Sequence, residues 1–169
     1  MDLQRACIHE AGHFYVAYKY RPARAVSIRI SKQLQTDPRT GEQYLSLGHA
    51  VTFDFHDSLP KVQVSIRAAG LAAESLVYNE LLEDLMRDPV VLRNIKTDTD
   101  NAKLDLEKAG LLFPSSGDED FAAWWSMGIG DALCMMRSSE DKLHRIADYC
   151  FANQDRDIPR AELVAKCDL

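Results

Sequence analysis

His9 and His13 stand four residues apart with Glu10 between them. They lie in a stretch from Leu3 to Tyr20 whose apolar positions Leu3, Cys7, Phe14, Ala17 and Tyr18 roughly follow a helical period. Pro22 follows as a stop signal. On a helix, residues four apart lie about 40° apart around the axis and one turn apart along it, so both imidazoles can reach one metal ion. Glu10 falls between those azimuths and the helix flank, where a carboxylate can touch a metal-bound water without replacing it. Ala11 and Gly12 leave room beside the backbone. A glycine in mid-helix costs about 1 kcal/mol relative to alanine, so something must compensate for Gly12.

The 169 residues, 46% of them hydrophobic, suffice for a real core and fit a single domain spanning residues 1–169. A net charge of −6 opposes the broad basic face that supplies most phosphate affinity, so no nucleic-acid partner is expected. Cys7, Cys134, Cys150 and Cys167 are widely scattered without a CxxC pair, and read as free thiols in a reducing cytoplasm. The first residues lack the uninterrupted apolar run of a secretion signal, and nowhere do about 18 consecutive apolar residues suggest a membrane segment. No GxxxxGK[ST] phosphate loop occurs, so no ATPase engine is expected in this chain.

Residues 25–31 alternate apolar and polar side chains as a half-buried strand does, and residues 45–55 are rich in strand formers. The turn-rich TDPRTGEQ between them suggests a hairpin or two neighbouring strands. Residues 60–86 predict a second long helix, with Ser58 as a cap and Pro60 in its first turn. Its Ala68, Ala69, Gly70, Ala72 and Ala73 carry so little bulk that another helix, expected to be the HEAGH helix, can approach closely. Thr97 or Asp98 would cap a third helix running to Ala109 and ending at Gly110. PSSGDED reads as a polar loop whose acidic end complements the start of a helix at residues 121–136. A further helix over 139–152 and a short terminal one after Pro159 complete the chain.

IHEAGHFYVA resembles the zinc-binding helix in the peptidase domain of the FtsH-type AAA proteases. The similarity continues in order. VSIRI and SLGHAVTF resemble that family's strand pair, IRAAGLAAESLV its AGRAAEELV helix, and TDTDNAKLDL its third-ligand segment, which reads like SNDLERAT. EDKLHRIADYCFANQDRDIPRAELV resembles its C-terminal helices, so that apart from the region around residues 110–136 most of the chain is covered. The resemblance implies an α+β, mostly α-helical, zincin-like fold in which the HExxH helix packs on a second long helix beside a small sheet. It also implies a zinc endopeptidase holding one Zn2+ per chain through His9, His13 and an aspartate, with Glu10 as general base. The family's spacing, an aspartate four residues before an alanine, falls on Asp98. Asp100 is the alternative, since a small slip in register would choose it. Glu74 matches the first glutamate of the family's AAEE pair while Ser75 replaces the second. Glu74 is expected either to orient a ligating imidazole from behind or to remain an exposed helix carboxylate.

The resemblance has gaps. The glycine-bearing approach to the third ligand is absent, and the ATPase and membrane segments are missing, so ATP-driven degradation of folded proteins does not carry over. The expectation is an ATP-independent peptidase acting on peptides or unfolded protein, with a homo-oligomer or a separate ATPase partner left open. Substrate would lie extended along the second strand at residues 46–51, against Gly48 and His49. Two rivals remain: a non-catalytic zinc-binding interaction module, and a helical domain in which HEAGH is coincidence. The retained Glu10 favours the enzyme, because a binding module needs no base between its histidines. His49, His56 and His144 have no ligand-like spacing. Trp124, Trp125, Met127, Met135 and Met136 read as core or dimer packing.

Overall fold

Asp2 opens the first helix: its carboxylate accepts the Arg5 backbone N–H at 2.7 Å, and α1 (Leu3–Tyr20) runs until Arg21 turns extended ahead of Pro22. The computed structural model describes residues 2–36, 41, 43–52, 59–113 and 116–169. Every residue of α1 from Ala6 to Ala17 is buried, so this is a central helix covered on all sides rather than an amphipathic one at the surface. That burial takes His9, Glu10 and His13 with it. Three polar side chains in such a place must find partners, and the rest of the fold supplies them.

On one side of α1 lies a sheet of three antiparallel strands in the order β2-β1-β3, formed by β1 (Ala25–Thr36), β2 (Gln43–Thr52) and β3 (Asp157–Pro159). Ile28 and Ile30 of β1 and Ile158 of β3 are fully buried, whereas Ser27, Arg29 and Ser31 alternate with them toward the opposite face. Strand β1 runs five residues past the expected end at 31, with an irregularity in its pairing between Ile30 and Gln33. The tail of the second expected strand, residues 53–55, lies outside the described residues, as do Ser58 and most of the TDPRTGEQ turn. Strand β3 was not anticipated: three residues are too few to show a period, and it exists because Ile158 pairs with Ile28 in the core.

Against the other side of α1 packs α2 (Pro60–Tyr78), with Pro60 in its first turn. A Cβ on Gly12 would overlap the Ala69 carbonyl and stand 2.6 Å from the Ala73 Cβ. The two helices meet backbone to backbone, and this contact offsets the propensity cost of Gly12. The expected helix 60–86 is shorter than the sequence suggested. It stops at Tyr78, where Asn79 takes the left-handed conformation (φ 51°) and its N–H donates to the Ser75 carbonyl. A short α3 (Leu82–Leu85) follows, then α4 (Pro89–Asn94), capped by the Asp88 carboxylate on the N–H groups of Val90 and Val91.

Helix α5 (Lys96–Lys108) starts before both of its expected caps. Neither Thr97 nor Asp98 caps it; the buried Ile95 precedes it without a side-chain cap, which frees the Asp98 carboxylate for other use. Helix α6 (Asp118–Met136) also begins earlier than expected, taking Asp118, Glu119 and Asp120 into its first turn. Trp125 and Met136 face the core, while Met127 is exposed. Helices α7 (Glu140–Ala152) and α8 (Arg160–Cys167) close the structure. The fold is mostly helical with one small antiparallel sheet, the α+β class expected. Among the described residues no helix is long and apolar enough to cross a membrane. All four cysteines are free thiols, three of them buried.

Candidate metal centre

Each ring of the histidine pair is anchored at one nitrogen. His9 Nδ1 lies 2.7 Å from Glu74 Oε1, and His13 Nδ1 lies 2.7 Å from the Ile66 carbonyl oxygen of α2. A carboxylate and a carbonyl only accept, so both Nδ1 atoms carry the hydrogen and both Nε2 atoms present lone pairs. Those two Nε2 atoms face each other at 3.0 Å. Asp98 of α5 brings a third electron pair: its Oδ2 is 3.2 Å from His9 Nε2 and 3.4 Å from His13 Nε2. With both rings neutral, these three donor atoms share no hydrogen and repel one another unless a cation, a proton or a metal ion, sits among them. The group could therefore hold a metal ion, its ligand atoms all lying within 4.8 Å of one another.

The electrostatics agree with that geometry. Burial works against a charged His9 ring, yet Asp98 and Glu74 outweigh it and raise its pKa well above the ordinary 6.5. Burial alone would raise Asp98 and Glu74. The neighbouring imidazoles and, for Glu74, Arg5 reverse this and hold both carboxyls below their usual range. The site attracts positive charge, whether as a proton or as a metal.

Glu10 lies beside this group without joining it. Its carboxylate accepts the Ala50 backbone N–H of β2; burial pushes its pKa up, against the pull of His9 and His13. A Cβ on Gly48 would stand 3.0 Å from the Glu10 Cγ, so β2 passes close above the acid. His49 does not share that placement. Successive strand residues point to opposite faces, and with Gly48 turned toward Glu10 the exposed His49 is directed away from that acid. Asp100 is also elsewhere: its Oδ2 pairs with Lys96 Nζ at 2.6 Å on the surface of α5. His144 is half exposed beside Glu140, and His56 lies outside the described residues. Burial drives the Cys7 thiol up to about 12, so it is no ready thiolate ligand.

Two neighbours of the centre were not singled out from the sequence. Arg5 holds Glu74, and its position one turn before His9 on the same helix face was a readable signal. The Ile66 carbonyl left none, because backbone groups carry no residue-type signature. No family model matches the chain and no curated protein does.

In metal-free protein the shifted groups give opposing pH dependences. His9, raised above 6.5, contributes stability that is fully present below pH 6.5 and is lost as pH rises through its folded value. Asp98 and Glu74, lowered from 3.8 and 4.5, contribute stability present above those values and lost as pH falls through the depressed ones. Metal binding runs the other way from His9 protonation, since the ion needs the same Nε2 lone pair: affinity falls as pH falls, beginning above 6.5. Thermal unfolding between about pH 5 and pH 9, with chelator and with added metal, should show a gap between the two curves that widens toward alkaline pH.

Proposed function

We propose that the chain is a zinc-dependent endopeptidase acting on unfolded or extended peptide segments, as its resemblance to FtsH-type peptidases implies. The observation that carries this reading is the convergence of His9 Nε2, His13 Nε2 and Asp98 Oδ2 with the non-ligating carboxylate of Glu10 beside them. Two imidazoles and one carboxylate suit zinc, and three protein ligands keep a fourth position for water or substrate. A bound zinc ion supplies Lewis acidity and a water whose pKa falls toward ~7.

The chain's own groups divide the remaining work. Glu10, with its pKa raised, takes the proton from the attacking water and later delivers it to the nitrogen of the leaving amine. The Ala50 N–H holds one face of that carboxylate in place. Among the described residues β2 pairs only with β1, and its backbone borders Glu10, so an extended peptide could lie along the free edge through main-chain hydrogen bonds. Such bonds tolerate many sequences, which fits an enzyme for unfolded segments.

Purified protein should contain about one zinc per chain by elemental analysis and should cleave unfolded casein without ATP. A strong chelator should stop cleavage, and added zinc should restore it. Zinc-loaded protein that leaves casein intact would sink the endopeptidase reading and favour a metal-holding interaction module.

A further inference from the structure

Arg5 lies one turn before His9 on α1 and is gripped from three directions. Its Nε donates to Glu74 Oε2, and its two terminal nitrogens donate to Glu80 Oε1 at 3.1 Å and Glu80 Oε2 at 2.5 Å. The guanidinium carbon sits 5.0 Å from the centroid of the Tyr78 ring. Only 20% of the side chain is exposed. The other oxygen of Glu74 is the one that accepts from His9 Nδ1, so the buried carboxylate is held at both ends, by a cation on one side and a ligating imidazole on the other.

The end of α2 is built to present the second clamp. Ser75 Oγ donates to the Glu80 carbonyl at 2.8 Å, and the Glu80 N–H donates to the Ser75 carbonyl at 3.1 Å around the left-handed Asn79. Ser75 is the residue that departs from the family's second glutamate. Here it ties down the turn from which Glu80 reaches Arg5.

We propose that Arg5 is a positioning residue for the metal centre, acting through Glu74 to fix the plane and tautomer of the His9 ring and so set how tightly the site holds its ion. This rests on reading His9, His13 and Asp98 as a metal site. A carboxylate bonded at one oxygen can rotate; one bonded at both cannot, and the direction of its second oxygen sets the direction of His9 Nε2. Lysine could supply the charge but not the planar fork that bridges two carboxylates, so Arg5→Lys should restore little.

The test is zinc affinity of the full chain, measured by competition with a chromogenic chelator, beside thermal unfolding of the metal-free protein. Arg5→Met should weaken zinc binding about ten-fold, and Glu80→Gln should weaken it in the same direction by less. In a Glu74→Gln background, already weakened, Arg5→Met should add less than about two-fold, because its route to the metal has been cut. A role confined to tying α1 to α2 predicts lower thermal stability with unchanged affinity, or equal losses in both backgrounds, and either result overturns the proposal. If Arg5→Met does not fold, Arg5→Lys and Glu80→Gln read the same quantity. Wild type that binds no zinc removes the metal-site reading along with this one. Wild type that binds zinc while Arg5→Met and Glu80→Gln bind it equally well removes the role of Arg5 alone.

Discussion

Glu10→Gln should retain its zinc and lose casein cleavage by about 10²- to 10⁴-fold, the range expected when a general base is removed. The two readouts separate because Glu10 sits beside the three donor atoms rather than among them. Glutamine has nearly the same shape, and its amide oxygen can still accept the Ala50 N–H, so β2 should stay in place. What the amide cannot do is take a proton from water. In barrier height the loss is roughly 3 to 5 kcal/mol, far above any effect of a surface change. Cleavage at the wild-type rate would remove Glu10 as the base; loss of zinc together with cleavage would make Glu10 part of the metal's support.

Gly70→Ala should bring zinc content well below one per chain, with affinity reduced by at least ~10²-fold. A Cβ at this position would overlap Cε1 and Nε2 of His9 and stand 2.6 Å from Nε2 of His13. Neither ring can swing aside freely, because each is pinned at Nδ1, one by Glu74 and the other by the Ile66 carbonyl. The helix-propensity effect has the opposite sign. Alanine in mid-helix is favoured over glycine by ~1 kcal/mol, while overpacking costs ~1 to 3 kcal/mol. Metal-free Gly70→Ala, followed by urea unfolding, should therefore be equal in stability to wild type or weaker. A clearly more stable variant that still binds zinc tightly would show that the rings do not lie against α2 as described.

Much of the centre was legible because helical geometry is local. The spacing of His9 and His13 places two nitrogens on one face of α1 whatever surrounds it, and the small residues of α2 announce a close helix contact. The third donor was a different matter. Asp98 and Asp100 stand about 200° apart around a helix, so only one can face α1. Which one does depends on how α4 and the buried Ile95 set the start of α5, and α4 left too short a pattern to read. Which of Gly48 and His49 faces Glu10 was illegible for a similar reason, since a strand's alternation says that neighbours oppose each other but not which of them faces the site.

The sequence by itself determined the metal-reaching pair, the acid between them, the mostly helical class and the contact between α1 and α2. Each follows from residue spacing within a single element, where one period settles direction. Only the tertiary structure decided that Asp98 completes the group, that the Ile66 carbonyl and Glu74 select the histidine tautomers, and that Arg5 is clamped by Glu80. Those are meetings between residues 53 to 89 positions apart in the chain. No local period encodes them. They arise when burial of α1 makes His9, Glu10 and His13 find partners on whatever element the core brings alongside.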